Sequence, residues 1–180
     1  YRAQKRAVTA PSLDQTFPAP DYVKPNAFVM VHDEVAVRMG DSLKTLPGLP
    51  AETKVRIRRL IRVRDALREC LRSQLDGSDE TTIVAAREKL NQTYDSFASR
   101  FGPISARANT RAFDGDPDLP LLLSLEVYDE ETKRATKTAI FRERTIQYQK
   151  PIESVATPQE ALIVSLNEKA RVDLEHMSAL

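Results

Sequence analysis

Apolar residues recur at helical spacing in two successive stretches between Ala51 and Gly102, and no other part of the chain is periodic over such a length. In the first stretch Ile57, Leu60, Val63, Leu67, Cys70, Leu71 and Leu75 fall on one arc of a helix expected from about Glu52 to Leu75. Asp76-Gly77 ends it, because glycine closes a last turn in the left-handed conformation without a Cβ penalty, and Ser78 or Asp79 is placed to cap the next helix. The second stretch repeats Ile83, Leu90, Tyr94, Phe97 and Phe101, with Ala86 as a small filler and Arg87 at the edge, and stops at Gly102-Pro103. So short a joint makes the two helices antiparallel neighbours. Arg64 projects into the apolar arc of the first helix. Glu88 and Asp95 point away from the seam of the second, so the partner of Arg64 is expected from elsewhere in the chain, since an unpaired charge there would be costly.

The segments on either side are shorter. Residues 1–26 carry Pro11, Pro18, Pro20 and Pro25 and no apolar period, which predicts an extended arm or linker with a basic start at Arg2, Lys5 and Arg6. Phe28 to His32, a turn near Asp33-Glu34, and Val35 to Met39 before Gly40 read as a β-hairpin within residues 27–47. The same run superficially resembles the apolar strand ending in Asp-Glu of nucleotide hydrolases. No Gly-x-x-x-x-Gly-Lys-Ser/Thr accompanies it, so a phosphate cradle is not expected. Asp114-Gly115-Asp116-Pro117-Asp118 lacks the alternating ligands of a calcium loop and reads as a turn, with Asp118 as N-cap before Leu119-Pro120. Leu121, Leu122, Leu123 and Leu125 form a short buried segment, and 127–141 a second hairpin. Thr157-Pro158-Gln159-Glu160 opens a helix with a capping box, and a second short helix begins near Val172-Asp173. Two short helices joined near Ala170-Arg171 are how a helix-turn-helix begins, although packing pairs of the same size are common.

The expected class is therefore mainly α with small β-hairpins (α+β): an antiparallel helical hairpin core and a C-terminal short helix pair, in one module over 27–180 after the arm. At 180 residues and 41% apolar composition the chain holds a modest core. Its net charge of +1 excludes a histone-like protein, but this sum averages a basic first helix and a more acidic second. One cysteine excludes a disulfide framework, and Cys70 reads as a small buried hydrophobe. His32 has no second histidine or cysteine nearby, so neither a metal nor another cofactor is expected. No apolar run approaches the ~20 residues of a membrane span and no signal peptide is evident, which points to a soluble, cytoplasmic protein without membrane contact. The start at Tyr1 and the end at Leu180 inside a helical pattern suggest a piece of a longer chain.

No nucleophile-base pair, metal cluster or glycine loop is assembled by spacing, so the segment is not expected to be an enzyme. The candidate chemistry is basic. Arg58, Arg59, Arg62, Arg68 and Arg72 form a ridge opposite the apolar arc of the first helix, offset only by Asp65 and Glu69. Smaller patches lie at Arg107 and Arg111 and at Lys137, Arg142 and Arg144. Such groups suit DNA phosphates, or else an acidic protein surface.

The series Leu90-Asn91-Gln92-Thr93-Tyr94-Asp95-Ser96-Phe97, Phe101-Gly102-Pro103-Ile104, Arg107-Ala108-Asn109-Thr110-Arg111-Ala112-Phe113, Leu125-Glu126-Val127, Glu160-Ala161-Leu162 and Glu168-Lys169-Ala170-Arg171-Val172-Asp173 resembles the central region of large phage and plasmid proteins. These fuse an adenine-specific DNA methylase to a Swi/Snf-type helicase and are associated with antirestriction or DNA modification. The resemblance covers roughly Phe28 to Leu180. The methylase motif Asn-Pro-Pro-Tyr/Phe and the helicase phosphate-binding lysine are absent from these residues. The resemblance therefore implies a non-catalytic connecting module, with flanking methylase and helicase domains and DNA as its partners. A docking scaffold between domains, without nucleic-acid contact, is the alternative.

Overall fold

The computed structural model describes residues 15–148, 152 and 154–180. The basic start of the expected arm, residues 1–14, lies outside them. The chain divides into two compact units, Tyr1–Ile146 and Gln147–Leu180. The class is α+β, with six α-helices and two antiparallel sheets among the described residues.

The first unit is built on α1 (Ala51–Leu75) and α2 (Glu80–Phe101), the expected helical hairpin. Ile57, Leu60, Val63, Leu67 and Cys70 of α1 share one core with Ala86, Leu90, Tyr94 and Phe97 of α2, and Ile83 is buried as well. Leu75, counted on the apolar arc, is 57% exposed at the last residue of α1. Gly77 closes α1 at φ 64° and Gly102 closes α2 at φ 73°, both left-handed as the sequence suggests. Asp79 caps α2 by accepting from the Thr82 N–H at 2.9 Å, and that bond holds its carboxyl below the usual range.

The β-hairpin is larger than expected. β1 (Thr16–Pro18), β2 (Phe28–Val31), β3 (Glu34–Met39) and β4 (Ser42–Thr45) form a four-stranded sheet in the order β1-β4-β3-β2. His32 and Asp33 make the two-residue turn with φ of 45° and 67°, a tight hairpin geometry without glycine. The described part of the expected arm is thus tied into the sheet: Thr16 pairs with Lys44 and Pro18 with Ser42, and proline is tolerated because β1 is an edge strand. Arg38 fixes the connection to β2, donating to the carbonyls of Pro20 at 3.2 Å, of Val23, and of Gly40 at 2.9 Å. Val35 on one face enters the main core, whereas Ala36 and Leu43 pack with Val23 and Ala27 in a second small cluster.

α3 (Arg107–Ala112), α4 (Leu119–Leu123), the two-stranded sheet β5 (Glu126–Asp129) with β6 (Arg134–Lys137), and a 3-10 turn (Ala139–Phe141) complete the unit. Here the structure assigns the acidic turn a different role. Asp118 takes the N-cap position of α4 as expected, but its side chain makes no capping bond; the buried carboxylate instead accepts from Lys24 at 2.7 Å and from Arg68. Asp116, fully buried, accepts from Arg64 Nη1 at 3.1 Å, from the Phe28 N–H at 2.8 Å and from the Asp118 N–H at 2.9 Å. Arg64 also donates to the Phe28 carbonyl at 2.8 Å and reaches Asp65 at 3.0 Å. The distant partner expected for Arg64 is Asp116.

The second unit holds α5 (Pro158–Lys169) and α6 (Leu174–Ala179). The capping box forms: the Thr157 hydroxyl accepts from the Glu160 N–H at 3.3 Å, and the Glu160 carboxylate accepts from the Thr157 N–H at 3.1 Å.

Removing one member of a buried ion pair leaves an uncompensated charge at a cost of about 3–5 kcal/mol. Asp116→Ala is expected to destabilise the first unit by that amount in urea unfolding, and Asp116→Asn, which keeps an acceptor, by roughly 1–3 kcal/mol. Equal and small losses for both would show that Arg64 finds another partner.

Candidate nucleic-acid interface

The ten basic residues singled out in the sequence divide by what their side chains hold. Arg58 donates to the Asp33 carbonyl at 3.0 Å and pairs with its carboxylate at 3.2 Å, bracing the β2–β3 turn against α1. Arg59 donates to the carbonyl and hydroxyl of Ser96 at 2.6 and 2.9 Å, across the helical hairpin. Arg68 holds Asp118. Lys137 does not extend a basic patch: it pairs with Asp95 at 2.6 Å, donates to Asn91 at 2.9 Å and lies over the rings of Tyr94 and Phe141. Arg144 donates to the carbonyls of Gln74 and Ile146 at 3.0 and 2.7 Å. These cations serve the fold.

Arg62, Arg72, Arg107, Arg111 and Arg142 remain exposed, and their guanidinium groups have no partner among the described residues. Arg107 and Arg111 lie on α3, and Arg142 comes directly after the 3-10 turn. Arg58, Arg62, Arg68 and Arg72 are brought together along one wall of a cleft of about 970 Å³, whose other side is formed by Tyr22, Val23, Val29, Val31 and Leu43. Asp33, Asp65, Glu69 and Asp76 also line it, so the ridge is charged in both senses. Arg59 and Arg62 border a second, polar depression of about 250 Å³ with Gln92, Thr93 and Ser96. Tyr22 is not signalled by the sequence, because its surroundings are proline-rich and carry no apolar period.

Two buried groups near α2 are not part of any open site. The Tyr94 hydroxyl donates to Glu126 at 2.6 Å, and Glu126 accepts the Ser105 N–H at 2.7 Å with its other oxygen. Burial, reinforced by the Glu126 bond, pushes the Tyr94 hydroxyl well above its ordinary value. Burial likewise raises the Cys70 thiol, which receives a weak bond from Gln74 at 3.6 Å and packs as a hydrophobe. Among the described residues no group of three or more His, Cys, Asp or Glu could hold a metal ion, and no helix is long and apolar enough to cross a membrane.

In the second unit, α5 ends at Ala170 in the left-handed conformation (φ 53°). Buried Ser165 clamps the turn, donating to the Arg171 carbonyl and accepting the Asp173 N–H, both at 2.9 Å. Asp173 caps α6 through the His176 N–H at 3.1 Å, which holds its carboxyl below the usual range. Ala161 and Val164 of α5 are buried, whereas Ile163, Val172 and Leu174 are exposed. The described residues of this unit thus form two short helices joined by a clamped turn. Residues 154–180 match the model of a family described as "Probable helicase, winged helix domain". Comparison with curated proteins and with solved structures finds no match.

A tyrosine whose folded-state pKa is raised contributes stability that is fully present below its unfolded value of about 10 and is lost as pH rises towards the folded one. Alkaline titration is therefore expected to show Tyr94 phenolate absorbance appearing together with unfolding. Tyr94→Phe should remove that coupling while costing roughly 1–3 kcal/mol at neutral pH, because Glu126 loses a buried donor. Phenolate absorbance that Tyr94→Phe lacks, appearing in the intact fold, would contradict this assignment.

Proposed function

We propose that this chain is a non-catalytic connecting module of a DNA methylase-helicase protein of mobile-element type, acting in the cytoplasm and contacting DNA. The observation that carries this reading is the match of residues 154–180 to the winged helix domain of a probable helicase. The resemblance of the preceding motifs supports the methylase and antirestriction context. In this reading the reactions and any cofactors belong to flanking domains, and the segment contributes rigid helices and phosphate-neutralising cations. The cations suited to that task are the unpartnered Arg62, Arg72, Arg107, Arg111 and Arg142, because recruiting Arg58, Arg59, Arg68, Lys137 or Arg144 would break contacts inside the fold.

A second reading, docking between domains without nucleic acid, is favoured by one observation: the second unit exposes Ile163, Val172 and Leu174, the last to 74%.

Binding of the 180-residue chain to duplex DNA across a salt series tests the first reading. The expected result is affinity that falls as salt rises, with a log–log slope that loses about 0.9 for each phosphate contact removed in Arg107→Ala, Arg111→Ala and Arg142→Ala. Absence of salt-dependent binding at low salt would remove this reading and leave docking.

A further inference from the structure

We infer that the cleft between α1 and the four-stranded sheet is a binding site for single-stranded nucleic acid. Tyr22 stacks on a base and Arg62 and Arg72 hold the backbone. This deepens the DNA-contacting reading above and rests on it.

Four observations converge. Tyr22 is 83% exposed at the cleft, yet its loop is held in place by the Arg38 bonds to Pro20 and Val23 and by the Ala19 N–H bond to the Asp41 carbonyl at 2.9 Å. An aromatic ring presented to solvent on an anchored loop is a stacking platform whose ordering cost is already met by the fold. The side of the cleft beside it is apolar, with half-buried Val29 and Val31 packed over buried Val23 and Leu43, a surface suited to base faces and not to phosphates. The opposite wall carries two guanidinium groups without partners, Arg62 and Arg72, about 15 Å apart along the helix from ten residues of rise, a span of a few nucleotides.

The carboxylates lining the cleft do not cancel these cations equally. Asp33 is paired with Arg58, Asp65 with Arg64, and Glu69 with Lys89 at 2.5 Å, which leaves Asp76 at the far end. Arg62 also borders the second depression, where Arg59, Gln92, Thr93 and Ser96 supply polar groups and no carboxylate takes part. A strand with bases in the cleft thus has a route for its backbone over Arg62 towards the α1–α2 surface. Duplex DNA has its base faces stacked inside and offers nothing for Tyr22 or the apolar wall. An acidic peptide would use the arginines but would leave the exposed aromatic ring without a stacking partner.

Fluorescence anisotropy of the intact chain with a labelled oligothymidylate, beside a duplex probe, tests the inference. Tyr22→Ala is expected to weaken oligothymidylate binding about tenfold while duplex binding is unchanged, and Tyr22→Phe to retain it. Arg62→Ala and Arg72→Ala should each lower the salt slope for the single strand by about 0.7. All three side chains are exposed and Arg62 and Arg72 hold nothing, so circular dichroism should report an unaltered fold. Oligothymidylate binding that ignores Tyr22→Ala, or salt slopes unchanged by the arginine variants, would overturn the proposal while leaving duplex binding to judge the broader reading separately. Tyr22- and Arg62-dependent capture of polyglutamate, without oligonucleotide binding, would overturn it in favour of a protein ligand.

Discussion

The arrangement of the first unit depends on a fully buried carboxylate. Asp116 receives the guanidinium of Arg64 from α1, the N–H of Phe28 from the edge strand β2, and the N–H of Asp118 from its own turn, while Arg64 in return covers the Phe28 carbonyl. An edge strand exposes unpaired backbone groups, and an arginine inside a core exposes a charge to low dielectric; each is costly alone. Bringing them to one carboxylate satisfies both, and it ties sheet, helix and the α3–α4 turn at a single point. Asp118 repeats the device two residues later, between Lys24 of the loop before β2 and Arg68 one turn along α1.

The same principle operates at both ends of α1. Asn109, buried on α3, donates to the carbonyls of Phe101 and Pro103 at 3.0 and 2.6 Å and accepts from Arg56 at 3.1 Å, so the orphan carbonyl at the end of α2 is satisfied by a neighbouring element. At the other end buried Gln74 accepts the N–H groups of Thr145 and Ile146 at 2.8 and 2.9 Å. Apolar packing between α1 and α2 supplies the non-directional stabilisation. These buried polar groups decide which irregular segment lies against which turn of the helix.

This division explains how much of the fold is legible in the chain. The boundaries of α1 and α2, their seam, the capping box at Thr157 and the need of Arg64 for a distant partner are consequences of periodicity and local capping rules. β1 and β4 are not, because Thr16–Pro18 and Ser42–Thr45 are too short to alternate and owe their pairing to the sheet they join. The local pattern at Asp118 fits a helix cap, but ion pairs with Lys24 and Arg68 outweigh it and come from residues far away in sequence. The basic ridge is legible as composition but not as function. Helical spacing places Arg58, Arg59, Arg62, Arg68 and Arg72 outside the apolar arc, yet it cannot tell that Ser96, Asp33 and Asp118 lie opposite three of them.

That distinction between engaged and free cations governs what the surface of α1 can do. A guanidinium already bonded inside the fold must surrender that partner before it meets a phosphate, so its net contribution to binding is the difference between two similar interactions. An unpartnered one exchanges only water and counterions. Arg62 and Arg72 are therefore the cations of the ridge that no bond inside the fold engages, and they share a cleft with Tyr22, whose loop Arg38 pins before β2. By holding Asp33, Asp65 and Asp118, Arg58, Arg64 and Arg68 offset the negative charge beside α1. Fold and surface charge are thus set by one network, in which structural arginines screen acids and leave the remaining cations free to act.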